Sequence, residues 1–97
     1  MSSQNGYPEH ERPVEAWCDL HSVFVKLKDG RVVATPLWWY PRLQKATPSQ
    51  RNNVELMLDG VHWPDVDEDL SIRGMFAGWR YPDAVPVGNT TEEGQAA

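Results

Sequence analysis

Two Asp-Gly pairs, Asp29-Gly30 and Asp59-Gly60, each sit between segments that alternate apolar and polar residues. A two-residue reversal of type I′ needs positive φ at both central positions, and Asp-Gly is one of the few pairs that supplies it. In the first hairpin, Lys28 opposite Arg31 sets a register in which Leu27 faces Val32, Val25 faces Ala34 and Val23 faces Pro36. Those residues are apolar and share one side. Lys28, Lys26, Phe24, Arg31, Val33 and Thr35 fall on the other, more polar side. Residues 14–18 are expected to add a preceding strand, with Val14, Ala16 and Cys18 on one side. In the second hairpin Leu58 faces Val61 and Leu56 faces Trp63, while Met57 and His62 lie opposite. Pro64 ends the pairing by removing a donor. The expected product is one twisted antiparallel sheet with Val25, Leu27, Val32, Leu56 and Leu58 on its oily side.

Short helical signals lie between and after the hairpins. Leu37-Trp38-Trp39-Tyr40 before Pro41 reads as a single turn, because a proline disfavours helix at the residue before it. Thr47-Pro48-Ser49-Gln50 reads as a capping box with proline at the first helical position, opening a helix of roughly residues 48–53. A last helix over 72–77 would be capped by Ser71 and ended by Gly78, with Gly74 weakening it. The fold class is α+β: a small antiparallel sheet from two β-hairpins plus two or three short helices.

The 97 residues suit one domain near the lower limit of what folds alone. Residues 1–12 read as a flexible arm, 13–81 as the domain and 82–97 as a disordered tail. Five tryptophans argue for a globular chain. The net charge of −5 argues against a general polyanion binder or an anionic membrane surface. The sign is uneven. Residues 20–53 carry six basic side chains against Asp29 alone, and residues 54–72 carry six acidic ones against none. Mutual neutralisation within the fold is the plainest outcome, and a functional field the alternative. Cys18 is the only cysteine, so neither an internal disulfide nor a cysteine zinc site can form. With no signal-peptide core and no apolar run of membrane-spanning length, a cytoplasmic location is expected.

Three segments in order, residues 36–43 (Pro-Leu-Trp-Trp-Tyr-Pro-Arg-Leu), 46–51 (Ala-Thr-Pro-Ser-Gln-Arg) and 62–71 (His-Trp-Pro-Asp-Val-Asp-Glu-Asp-Leu-Ser), carry a resemblance. Over about residues 14–78 the chain resembles the bacterial domain-of-unknown-function family number twenty-four forty-two. The resemblance implies a small bacterial α+β domain and no particular activity. Some relatives carry an added helix-turn-helix domain, for which the residues after Tyr81 are expected to be too few. Relatives are thought to be encoded beside another small protein, much as toxin–antitoxin pairs are, which implies a protein partner. Many relatives have an aromatic where this chain has Val54, so packing there is expected to differ.

Trp38, Trp39, Tyr40 and Arg42 are the leading candidate interface. Adjacent aromatics on one turn point about 100° apart, so they cannot all enter a small core. One tryptophan is expected to pack on the hairpin and the other to stay partly exposed. Trp, Tyr and Arg are the types enriched at interface hot spots. Gly78-Trp79-Arg80-Tyr81 adds a second aromatic–arginine group expected to fold over the first. Arg51, His62, Trp63, Asp65, Asp67, Glu68 and Asp69 complete the candidate surface. The acidic run fails as a calcium loop, since its sixth position is Leu70 and its twelfth Phe76. Its carboxylates are expected to cap a turn or short helix and to pair with Arg42 or Arg51. His62 with Asp65 could serve as a base and its orienting partner, yet no nucleophile elbow or oxyanion loop accompanies them. Ser49 and Ser71 read as helix-start residues.

Three functions remain on the sequence. The first is a protein-interaction module, the antitoxin-like or regulatory member of a two-gene pair. The second is a nucleic-acid-contacting domain using Lys26, Lys28, Arg31, Trp38 and Arg42, opposed by the acidic run. The third is a metal-assisted hydrolase. No enzyme activity, metal or other cofactor is expected.

Overall fold

The computed structural model describes residues 7–86. It contains β1 (Pro13–Cys18), β2 (Ser22–Leu27), β3 (Val32–Pro36), a 3-10 turn (Leu37–Trp39), α1 (Pro41–Gln44), α2 (Pro48–Asn52), β4 (Glu55–Leu56), β5 (Gly60–Trp63), β6 (Glu68–Ser71) and α3 (Ile72–Ala77). The strands form two three-stranded antiparallel sheets, β1-β2-β3 and β4-β5-β6, rather than the single sheet expected. Both face one core, built from Val23, Val25 and Leu27 of the first sheet and Val61, Trp63 and Leu70 of the second. Leu37, Tyr40, Leu43, Ile72 and Met75 fill it from the connecting turn and helices. No helix among the described residues is long and apolar enough to cross a membrane.

The first hairpin forms one residue out of the expected register. Leu27 N–H donates to Arg31 O at 2.8 Å and Gly30 N–H to Leu27 O at 2.9 Å, so the loop has three residues, Lys28-Asp29-Gly30. Only Gly30 of these has positive φ, at 98°. This is a tight turn followed by a left-handed glycine bulge, which Asp-Gly serves as well as it serves a type I′ reversal. Asp29 reinforces it by accepting from Arg31 N–H at 3.0 Å and from its Nε at 2.9 Å. The consequence follows from the two-residue period of a strand. Lys26 pairs with Val32 and Val23 with Thr35, so the faces of β3 are exchanged. Val32 and Ala34 face solvent, Val33 is half-buried and Thr35 is buried. A buried threonine is tolerable because its Oγ1 accepts from Tyr40 OH at 2.8 Å. The core face of β2 is as expected. In β1 a register irregularity between Pro13 and Glu15 leaves Val14 exposed, while Ala16 and Cys18 pack against the core.

The second hairpin differs more. Leu56 pairs with Val61, not Trp63, and Met57 N–H donates to Gly60 O at 2.8 Å. The reversal therefore falls at Leu58-Asp59, and Gly60 opens β5. Leu56, Met57 and Leu58 stand exposed. β5 ends at Trp63, just before Pro64 as expected, but the sheet continues. The chain turns through residues 64–67, with Asp67 at φ 54°, and returns as β6. The acidic run thus supplies a turn and a strand, with Trp63 opposite Glu68 and His62 opposite Asp69.

The local helix signals hold. Thr47 and Gln50 form the reciprocal capping box with Pro48 at the start of α2. Ser71 Oγ accepts from Gly74 N–H at 2.9 Å, and Gly78 ends α3 at φ 79°. At the N-terminal end the arm reading does not fit residues 7–12. Lys28 N–H donates to Arg12 O and Asp29 N–H to His10 O, and Tyr7 packs on the core. Residues 1–6 and 87–97, parts of the expected arm and tail, lie outside the described residues.

Candidate functional site

Proline brackets the aromatic turn on both sides, at Pro36 and Pro41, and fixes where it starts and stops. Tyr40 points inward and is buried beneath Thr35. Trp38 and Trp39 are both half-buried and meet edge to face at 6.4 Å, and Trp39 packs against the core, the part expected of one of the two indoles. Residues 78–81 then fold over this turn, as expected. Left-handed Gly78 reverses the chain, and Tyr81 N–H donates to Trp39 O at 3.3 Å. Arg80 lies over both indoles, 5.6 Å from Trp38 and 5.8 Å from Trp39. Trp79 packs edge-on against Tyr81 at 4.7 Å.

The hub that fixes this surface is Glu68, whose side chain is fully buried. Its Oε2 accepts from Tyr81 OH at 2.9 Å. Its Oε1 finds no hydrogen-bond donor among the described residues, with Arg42 Nε 3.8 Å away. Arg42 donates through Nη1 to Asp67 O at 2.7 Å and through Nη2 to Tyr81 OH at 3.1 Å, and its guanidinium lies over the Tyr81 ring. The expected pairing of the acidic run with Arg42 is therefore present. Tyr81 is the connection that sequence reasoning leaves out of the candidate set, and its only signal was the repeated aromatic–arginine composition.

Burial pushes the Glu68 carboxyl above its ordinary value of 4.5, and the Tyr81 hydroxyl and Arg42 oppose that rise. An acid raised in this way holds a proton in the fold that the unfolded chain has already lost. Folding stability from this group therefore declines as pH rises from 4.5 through the raised value. Glu68→Gln does not titrate. Urea unfolding is expected to show the variant gaining on the wild type as pH rises from 4.5. A constant difference across that range would contradict the assignment.

Other candidates divide differently. Trp63 is fully buried and its indole N–H donates to Arg51 O at 3.0 Å. Arg51 donates from Nε to Leu43 O at 2.9 Å and from Nη2 to Gln44 O at 2.6 Å, closing the C-terminal carbonyls of α1. Trp63 and Tyr40 are core residues, not contact residues. Asp65 is exposed and accepts from Asn53 Nδ2 at 3.1 Å. His62 is joined through Nδ1 to Asp69, its cross-strand neighbour, and not to Asp65. The Asp69 hydrogen bond raises the His62 pKa above 6.5. Stability from this pair is present below pH 6.5 and is lost as pH rises through the raised value. In Asp69→Asn the His62 ring protons, followed by NMR, should titrate at lower pH than in the wild type. An unchanged midpoint would rule out the pair. Among the described residues no three His, Cys, Asp or Glu side chains group so as to hold a metal ion. Burial pushes the Cys18 thiol up to about 11, away from reactivity.

Fold and surface together define a small two-sheet α+β domain with a pinned aromatic–arginine face. The chain belongs to the family described as "Protein of unknown function (DUF2442)", whose match spans residues 13–81. Among solved structures it is similar to a protein of unknown function from Rhodospirillum rubrum. The two share 32% identity and a TM-score of 0.64, over 75% of this chain and 93% of that one. None of the curated proteins compared with the chain matches it.

Proposed function

We propose that this domain is a protein-interaction module whose contact face is formed by Trp38, Trp39, Arg42, Arg80 and Tyr81. One observation carries the reading. Arg80 is stacked on two half-buried indoles and has no carboxylate partner among the described residues, and the segment that carries it is tied down through Tyr81 to Glu68. A cation and aromatics held in place before binding lose little conformational freedom when a partner arrives. With a partner encoded nearby, as the family resemblance suggests, the domain acts in the cytoplasm as the regulatory or antitoxin-like member of a pair.

Binding rather than catalysis is supported by how the candidate catalytic groups are used. His62 is held by Asp69, and Ser71 Oγ caps α3. The nucleic-acid reading loses support because three of its four cations are paired with carboxylates. Lys28 pairs with Glu9 at 2.6 Å, Arg31 with Asp29 and Glu11, and Arg42 approaches Glu68. The test is capture from native lysate with immobilised wild type and Arg80→Ala. The expected result is a stoichiometric partner retained by the wild type and lost by the variant, with thermal unfolding unchanged. No stoichiometric partner at any salt concentration would end the proposal.

A further inference from the structure

The β1–β2 turn leans on the aromatic turn and leaves a hollow between them. Leu37 N–H donates to His21 O at 2.8 Å. Asp19 Oδ1 accepts from the backbone N–H of His21 and of Ser22, both at 2.7 Å. Both rims are therefore fixed by the backbone. The hollow measures about 330 Å3 and is lined by Leu20, His21, Leu37, Trp38, Gln44 and Arg51. Among the described residues no carboxylate lines it, although the chain as a whole carries −5. Arg51 spends Nε and Nη2 on α1 and leaves Nη1 without a protein partner among the described residues. Arg80 covers the Trp38 ring, and Leu20 stands 79% exposed at the rim. A smaller hollow of about 150 Å3 continues past Leu20 and Arg51 towards Pro48. Asp19, the one carboxylate there among the described residues, is turned onto the backbone amides that hold its pKa low.

We infer that this hollow docks an acidic segment of a protein partner. One aliphatic or aromatic side chain of that segment seats between Leu20, Leu37 and Trp38, and flanking carboxylates face Arg51, His21 and Arg80. The inference rests on the interaction-module reading and adds the partner's chemistry. Guanidinium groups recognise carboxylates through directional, charge-assisted hydrogen bonds. A nucleic acid would need a longer track of cations than this short hollow gives, on a chain that is otherwise acidic.

The test is an anisotropy titration with a short labelled peptide of Glu and Asp around one central Leu. Its Gln/Asn counterpart and a single-stranded oligonucleotide serve as rivals. The acidic peptide should bind, weaken with added salt, and shift amide resonances of Leu20, His21, Gln44 and Arg51 in NMR spectra. His21→Glu, in an exposed turn, should weaken it about tenfold or more. Lys26→Glu, on the outer face of the first sheet, should leave it unchanged. Equal binding to His21→Glu, equal binding of the neutral peptide, or displacement by the oligonucleotide would each overturn the inference. A captured partner that Arg80→Ala loses, together with no peptide binding, would remove this chemistry and leave the module standing.

Discussion

Trp63→Ala is expected to lower the unfolding free energy by about 3–5 kcal/mol, the range for deleting a buried large aromatic. A domain of this size holds only about 5–15 kcal/mol in total, so the variant should be largely unfolded at modest urea. Two effects combine. The ring is fully buried between the sheets, so its loss leaves a void that the backbone cannot close. Its N–H also satisfies Arg51 O at 3.0 Å. Trp63→Phe separates the two, because it keeps much of the volume and removes the donor. That change should cost about 1–3 kcal/mol, the penalty for an orphaned, part-buried acceptor with a small packing loss. A urea midpoint unmoved by Trp63→Ala would mean that the core is not where the fold puts it.

Gly60→Asn should be nearly as damaging, at about 3 kcal/mol or more, while Gly30→Asn should cost about 1 kcal/mol or less. The two glycines look alike in sequence, each following an aspartate. Gly30 is present for its φ of 98°, and a side chain there would meet nothing within 4 Å. Asparagine is among the L-residues that tolerate such a backbone best. Gly60 has no such φ, but a Cβ on it would lie 2.3 Å from the Leu70 carbonyl oxygen. Relief requires β5 and β6 to part at the Gly60–Ser71 pair. Thermal melts of the two variants side by side decide the matter. Equal effects would show that both glycines serve the same purpose.

That contrast also explains what the sequence could reveal. Features written in neighbouring residues were legible: the Thr47–Gln50 box, the Ser71 and Gly78 limits of α3, and the buried face of Val23, Val25 and Leu27. The faces of β3 were not, because Asp-Gly serves two reversals that differ by one residue in register, and one residue exchanges every side chain. The return of the acidic run as β6 was hidden as well. Its alternation of Glu68 and Leu70 inside with Asp69 and Ser71 outside breaks the usual rule that carboxylates face water. The surface was legible as composition, in Trp38, Trp39, Arg42 and the acids. The link through Tyr81 was not, because Tyr81 reaches Arg42 across 39 residues of chain.

Arg51 gives the domain a mechanical unity that its two separate ladders do not suggest. Its carbonyl receives the core indole of the second sheet, and its guanidinium grips the last carbonyls of the helix that leaves the first. A thermal fluctuation that frees one ladder therefore strips polar groups in the linker to the other. Hydrogen–deuterium exchange should accordingly find the innermost amides of β2 and β5 opening in a single event rather than as two independent units.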